Sequence, residues 1–131
     1  LPSIVGQDLI PVCQHGTIFG AKVPVFPHAE HIETIEKGLS MAKVLGGSKA
    51  LIMKGHGAVI AEASVEGAFL ASCHLEENAR LFVEASILGK PIPLTEDQLK
   101  LAAGDTFTPR SIEKGWTYFV EKGRKAGIFW D

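Results

Sequence analysis

The residue best placed to do chemistry is His56, set between Gly55 and Gly57 where two short apolar runs meet, Ala50-Leu51-Ile52-Met53 before it and Ala58-Val59-Ile60-Ala61 after it. Glycines on both sides permit tight or left-handed backbone and let a ligand come close to the main chain. An imidazole presented from such a turn can give one ring nitrogen to a metal while a backbone or carboxylate group fixes the other. Spacing alone suits equally a half-exposed turn histidine with no ligand, and both readings stand at this point.

A second group is His28-Ala29-Glu30-His31, with His15 upstream. Histidines three apart on a helical turn face one side, so His28 and His31 are spaced to share a metal, with Glu30 orienting one ring. The fullest form of that idea joins His15, His28 and His31 to His56 in one self-contained site. The same segment follows Pro27 and reads as well as the solvated start of a helix. His74, beside Cys73 and close to Glu77, has the character of a surface or interface residue and takes no site role. Glu76, Glu77, Arg80 and Glu84 read as a charged helix face in which Arg80 pairs with Glu77 and Glu84. No phosphate-binding glycine fingerprint and no nucleophile elbow is present, and no catalytic acid, base or nucleophile is assigned.

These side chains need elements to hold them. From Ile4 to Phe26, apolar runs are cut by Pro11, Gly16, Gly20 and Pro24, which predicts two short strands around Leu9–Val12 and Val23–Phe26, with Thr17-Ile18-Phe19 in a turn of helix. Residues 31–45 have helical spacing, with Ile32, Ile35, Leu39 and Ala42 in one stripe and Gly46-Gly47 as the stop. The runs on either side of His56 predict strand, tight turn, strand, both buried. Ser64 caps a long helix with the stripe Ala68, Ala71, Leu75, Ala79, Phe82 and Ala85, ending at Gly89. After the extended stretch 90–94, Thr95 caps a short helix to about Ala103, ended by Gly104-Asp105, and Pro109 opens a last helix to about Lys125. Strands among long helices imply one layered α/β domain, an α/β/α arrangement with a largely antiparallel central sheet, since a hairpin as short as that at His56 cannot join parallel strands.

Composition excludes several classes. At 131 residues the chain has the size of one domain, and 46% hydrophobic against 21% charged residues is the balance of a folded protein. A net charge of −2 and an isoelectric point near 6.2 provide no basic stripe, so no nucleic-acid partner is expected. No apolar stretch is long enough to span a bilayer and Leu1-Pro2-Ser3 is no signal peptide, so a cytoplasmic protein without a membrane partner is expected. Cys13 and Cys73 are read as free thiols.

The block Ala50 to Ile60, followed by Ser64-Val65-Glu66-Gly67-Ala68-Phe69 and Leu75-Glu76-Glu77-Asn78-Ala79-Arg80-Leu81, resembles the class II aldolase/adducin family over residues 22–89. In that family a strand ends in a His-Gly step, a second strand follows, and a long capped helix carries Leu-Glu-x-x-Ala-Arg. The resemblance implies a metal-dependent carbon–carbon lyase, of aldolase or decarboxylase type, acting on a small carbonyl or carboxylic-acid substrate. The stretch from Leu9 to Phe26 looks more like the decarboxylase and uncharacterised bacterial branches. Family members bind zinc, or Mn2+ or another divalent metal, through three histidines, and the one that matches is His56. The metal polarises a carbonyl or enolate oxygen as the carbon–carbon bond breaks, and His56 as a ligand would move no proton.

The resemblance also implies a tetramer with sites near subunit interfaces. Trp116, Tyr118, Phe119 and the tail Phe129-Trp130 carry apolar surface suited to assembly, and Tyr118 or that tail is a candidate to complete a neighbouring site. The other two family ligands come from a His-x-His step, which this sequence lacks together with the upstream acidic base. The expectation is therefore a C-terminal portion of the domain, incomplete at the N-terminus, as the start at Leu1 suggests. The alternative is a non-enzymatic, adducin-like interaction domain that keeps the fold without the metal.

Overall fold

The computed structural model describes residues 2–128. The short strand β1 (Val25–Phe26) leads into helix α1 (Ile35–Leu45), and α1 into strand β2 (Ala50–Met53). Strand β3 (Gly57–Ile60) is followed by the long helix α2 (Val65–Leu88), then α3 (Glu96–Thr106) and α4 (Pro109–Lys125). The sheet order is β1-β2-β3. β2 and β3 pair antiparallel over four residues, from Ala50 opposite Ile60 to Met53 opposite Gly57. β1 pairs parallel to β2, Val25 opposite Ile52 and Phe26 opposite Met53, with α1 as the crossover that a parallel pair requires. The α/β class holds, and the sheet is mixed, antiparallel in its longer ladder.

Helix ends follow the capping chemistry of the sequence. Thr34 and Ser64 accept hydrogen bonds from the Lys37 and Gly67 amides at the starts of α1 and α2. Thr95 with Gln98 and Thr108 with Ser111 form reciprocal capping boxes on α3 and α4, and Pro109 stands in the first turn of α4. α3 runs through Gly104 and Asp105 to Thr106, past the expected stop, because Thr106 is buried and its hydroxyl donates to the Ala102 carbonyl at 2.6 Å.

The core joins Leu9, Phe19 and Val23 from the N-terminal segment, Ala50 from β2, and Ala71, Leu75 and Phe82 from α2. Leu9–Val12 is not the strand expected. Its backbone is satisfied by a side chain instead: Asn78 of α2, 1% exposed, accepts from the Val12 amide at 2.9 Å and donates to the Ile10 carbonyl at 3.0 Å. Behind it, Gln14–Phe19 forms a 3-10 helix that lies against α2 and α3. Gly16 touches Asn78 so closely that a Cβ there would stand 2.1 Å from the amide oxygen. The buried line of α2 accordingly runs through Gly67, Leu70, Ala71, His74, Leu75, Asn78 and Phe82; it keeps Ala71, Leu75 and Phe82 of the expected stripe and adds Gly67, Leu70, His74 and Asn78 beside them.

One expected burial is reversed and another is only partial. The stripe on α1 faces outward, with Ile35 78% and Leu39 66% exposed, while Met41 and Leu45 make its half-buried side. A three-stranded sheet with a two-residue edge strand offers α1 little area to cover. β3 is also less buried than β2, with Gly57 and Ala58 exposed. On α4, Trp116 and Phe119 pack edge-on against Phe69 of α2, with ring centroids 5.6 and 5.1 Å away, and only Tyr118 stays largely open, at 60%. Phe129 and Trp130 lie outside the described residues. Among those residues, no helix is long and apolar enough to cross a membrane.

Candidate functional site

The β2–β3 connection is a tight turn, Lys54-Gly55-His56, closed by the His56 amide donating to the Met53 carbonyl at 3.0 Å. Gly55 takes φ +70°, which glycine adopts without steric cost and other residues do not. That conformation turns the chain in three residues and leaves His56 exposed at the tip. The tip borders an open groove of about 540 Å³ whose wall is mostly apolar: Leu9, Ile52, Ile60 and Leu75, with Glu76 and Ser72 from α2. His56 thus faces a cavity large enough for a small molecule.

The sequence-predicted histidines separate. His31 meets His56 edge to face, with ring centroids 5.5 Å apart. His28 stands instead against Phe26, at 5.1 Å. Residues 28–34 carry no helical turn, since α1 starts only at Ile35, so the spacing of His28 and His31 does not put them on one face. Glu30 orients neither ring; it pairs with Lys37 at 2.7 Å, and that ammonium holds its carboxyl below the usual range. His15 is elsewhere, so the self-contained site of His15, His28, His31 and His56 is not assembled.

What His15 joins is a cluster that sequence reasoning missed. Its Nδ1 lies 2.6 Å from Glu77 Oε2, and its ring stacks on His74 with centroids 4.1 Å apart and planes 9° from parallel. His74 is buried at 8% exposed, not a surface residue, and Phe107 packs edge-on to its ring. Burial, with His15 repelling positive charge and Glu77 opposing, lowers the His74 pKa to about 4, so it is neutral at physiological pH. Glu77 is therefore committed to His15, and Arg80 pairs with Glu84 alone, at 3.0 Å. The one signal of His74 in the sequence was its place three residues after Ala71 and next to Leu75, two members of the apolar stripe. Cys13 and Cys73 are free thiols, as expected, and burial raises the Cys73 pKa.

Comparison with known proteins supplies a frame for the turn. The family model for the Class II Aldolase and Adducin N-terminal domain matches residues 2–83, more than half of the chain. No curated protein matches the sequence. Among solved structures, an L-fuculose 1-phosphate aldolase superposes with a TM-score of 0.68 at 22% identity, over 78% of this chain and 48% of that one. An aldolase II superfamily protein from Pseudomonas syringae gives 0.75 at 17% identity, covering 92% and 50%. The L-fuculose 1-phosphate aldolase from Glaciozyma antarctica PI12 gives 0.74 at 20% identity, covering 95% and 47%. At such identities the likeness is one of fold, and the chain spans about half the length of these structures.

Proposed function

Because this chain belongs to the class II aldolase and adducin family, we propose that it is the C-terminal portion of a metal-dependent carbon–carbon lyase domain, with His56 as one ligand of a divalent metal. The observation that carries this reading is the exposed imidazole of His56 at the rim of an apolar groove, on a turn that Gly55 makes possible. Zinc is the leading metal and manganese the alternative, because a borderline cation suits imidazole donors.

The residues at the turn do not complete such a site. A catalytic zinc needs three protein donors and an open position, whereas His31 stands beside His56 and, among the described residues, no cluster of three donors includes it. The remaining ligands would come from polypeptide beyond these residues or from another subunit. A bound metal would supply Lewis acidity toward a carbonyl or enolate oxygen. This chain's own share is shape and placement: Gly55 sets the direction of His56, and Leu9, Ile52, Ile60 and Leu75 keep the groove floor apolar, which strengthens polar contacts to a small carbonyl or carboxylate substrate. Assembly into a homotetramer would cover the outward Ile35 and Leu39 of α1 and the open face of Tyr118.

The test is metal analysis and lyase assay of the full-length protein and its His56→Ala variant. The expected result is that one equivalent of zinc or manganese is lost together with activity in His56→Ala while the fold is kept. A correctly folded wild type that holds no metal dependent on His56 and cleaves no carbon–carbon bond would sink the proposal and leave a scaffold that binds other proteins.

A further inference from the structure

Away from the turn, the Gln14–Phe19 segment and α2 bring a second set of donors together. One ligand-capable atom from each of His15, His74 and Glu77 lies within 4.8 Å of the others. They line a groove of about 570 Å³, which Cys73, Arg80 and Phe119 also border, so an ion and its water have access. We propose that His15, His74 and Glu77 form a divalent-cation site of the zinc type, separate from any metal at His56.

The donor chemistry fits. Two imidazoles and one carboxylate are a set that zinc accepts, leaving a fourth position for water or a ligand. His74 and Glu77 stand three apart on a 24-residue helix, so their side chains emerge on one face and are fixed relative to each other. His15 is the movable member, with its side chain 47% exposed on a short 3-10 helix.

Rings 9° from parallel aim their in-plane lone pairs side by side, so they do not converge on one ion. Binding requires the His15 ring to turn out of the stack and Glu77 Oε2 to exchange His15 Nδ1 for the cation. Donors at about 2.0–2.2 Å from a tetrahedral ion stand roughly 3.4 Å from one another, so the cluster must contract from at most 4.8 Å, within reach of side-chain rotation.

The experiment titrates the metal-free 131-residue chain with Co2+, read by its visible absorption, and with Zn2+ against a chromophoric chelator. His15→Ala, Glu77→Gln and His56→Ala are run in parallel, and nitrogen NMR follows the imidazoles. His74 is left intact because it belongs to the core. Expected are a tetrahedral cobalt spectrum, a loss of affinity of at least about tenfold in His15→Ala and in Glu77→Gln, no change in His56→Ala, and Zn2+-induced shifts in the His15 and His74 ring nitrogens. Binding that survives both His15→Ala and Glu77→Gln, or no binding at all, overturns the proposal. Binding abolished by His56→Ala alone also overturns it and assigns the metal to the turn, so failure here is distinguishable from failure of the lyase reading. If His15→Ala fails to fold, Glu77→Gln and the ring-nitrogen shifts still decide.

Discussion

The hairpin turn at His56 and the junction of the 3-10 segment with α2 are built on opposite principles. The turn is held by contacts among neighbours in sequence, Met53 to His56 and the β2–β3 ladder, and it leaves the His56 side chain in solvent. The junction is held by residues 62 to 68 positions apart, His15 with Glu77, Val12 and Ile10 with Asn78, and it buries Asn78 and His74 while His15 stays partly open to solvent. Side chains at the turn are therefore free to serve a ligand without supporting the fold. Those at the junction do both, so changing them confounds chemistry with stability.

The largest effect that would test this contrast is at Asn78. Asn78→Ala strands the Val12 amide and the Ile10 carbonyl without partners, each costing about 1–3 kcal/mol, so urea unfolding should show a loss of about 3–4 kcal/mol. Gly16→Ala sharpens the point, because the three atoms nearest its new Cβ all belong to Asn78. The two substitutions should be coupled, the double variant losing at least about 1 kcal/mol less than the sum. Additive losses would mean that the two residues do not share the junction.

Acid is the next largest probe, applied with chelator present. In the folded chain His74 titrates at about 4, below the ordinary 6.5 of an unfolded histidine, so the unfolded state takes up the proton first. The stabilisation is complete above pH 6.5 and is lost progressively as pH falls toward 4. At about 1.4 kcal/mol per pH unit of separation, the loss comes to about 3 kcal/mol. His74→Gln should flatten this slope between pH 6.5 and 4.5. A wild-type profile that is flat across that window would show that His74 protonates freely in the native state.

How much was legible in the sequence follows the same division. Helix caps, the strand-turn-strand at residues 50–60 and the exposed position of His56 were readable because each is decided within a few residues. Asn78 as a substitute strand partner for Leu9–Val12 was not, since local pattern cannot say that a side chain 66 positions away will satisfy the Val12 amide. His74 was missed for a related reason: a polar residue inside an apolar line reads as surface until its partner, His15, is known to lie over it. The outward stripe of α1 shows the converse, because periodicity finds an apolar face without saying what covers it.

The smallest effect separates backbone from side chain within the turn. Gly55 has φ +70°, and a Cβ there would meet only Ala29 at 4.0 Å, an ordinary contact, so Gly55→Ala carries a conformational cost and no clash. That cost is about 1–2 kcal/mol, whereas His56→Ala, at an exposed position, should stay within about 0.5 kcal/mol of wild type. Ligand binding should rank the two substitutions the other way: His56→Ala removes the imidazole outright, and Gly55→Ala keeps it and alters only its direction. If His56→Ala destabilised the fold as much as Gly55→Ala, the imidazole would be a structural part of the hairpin, and its exposure beside the groove would no longer argue for a ligand.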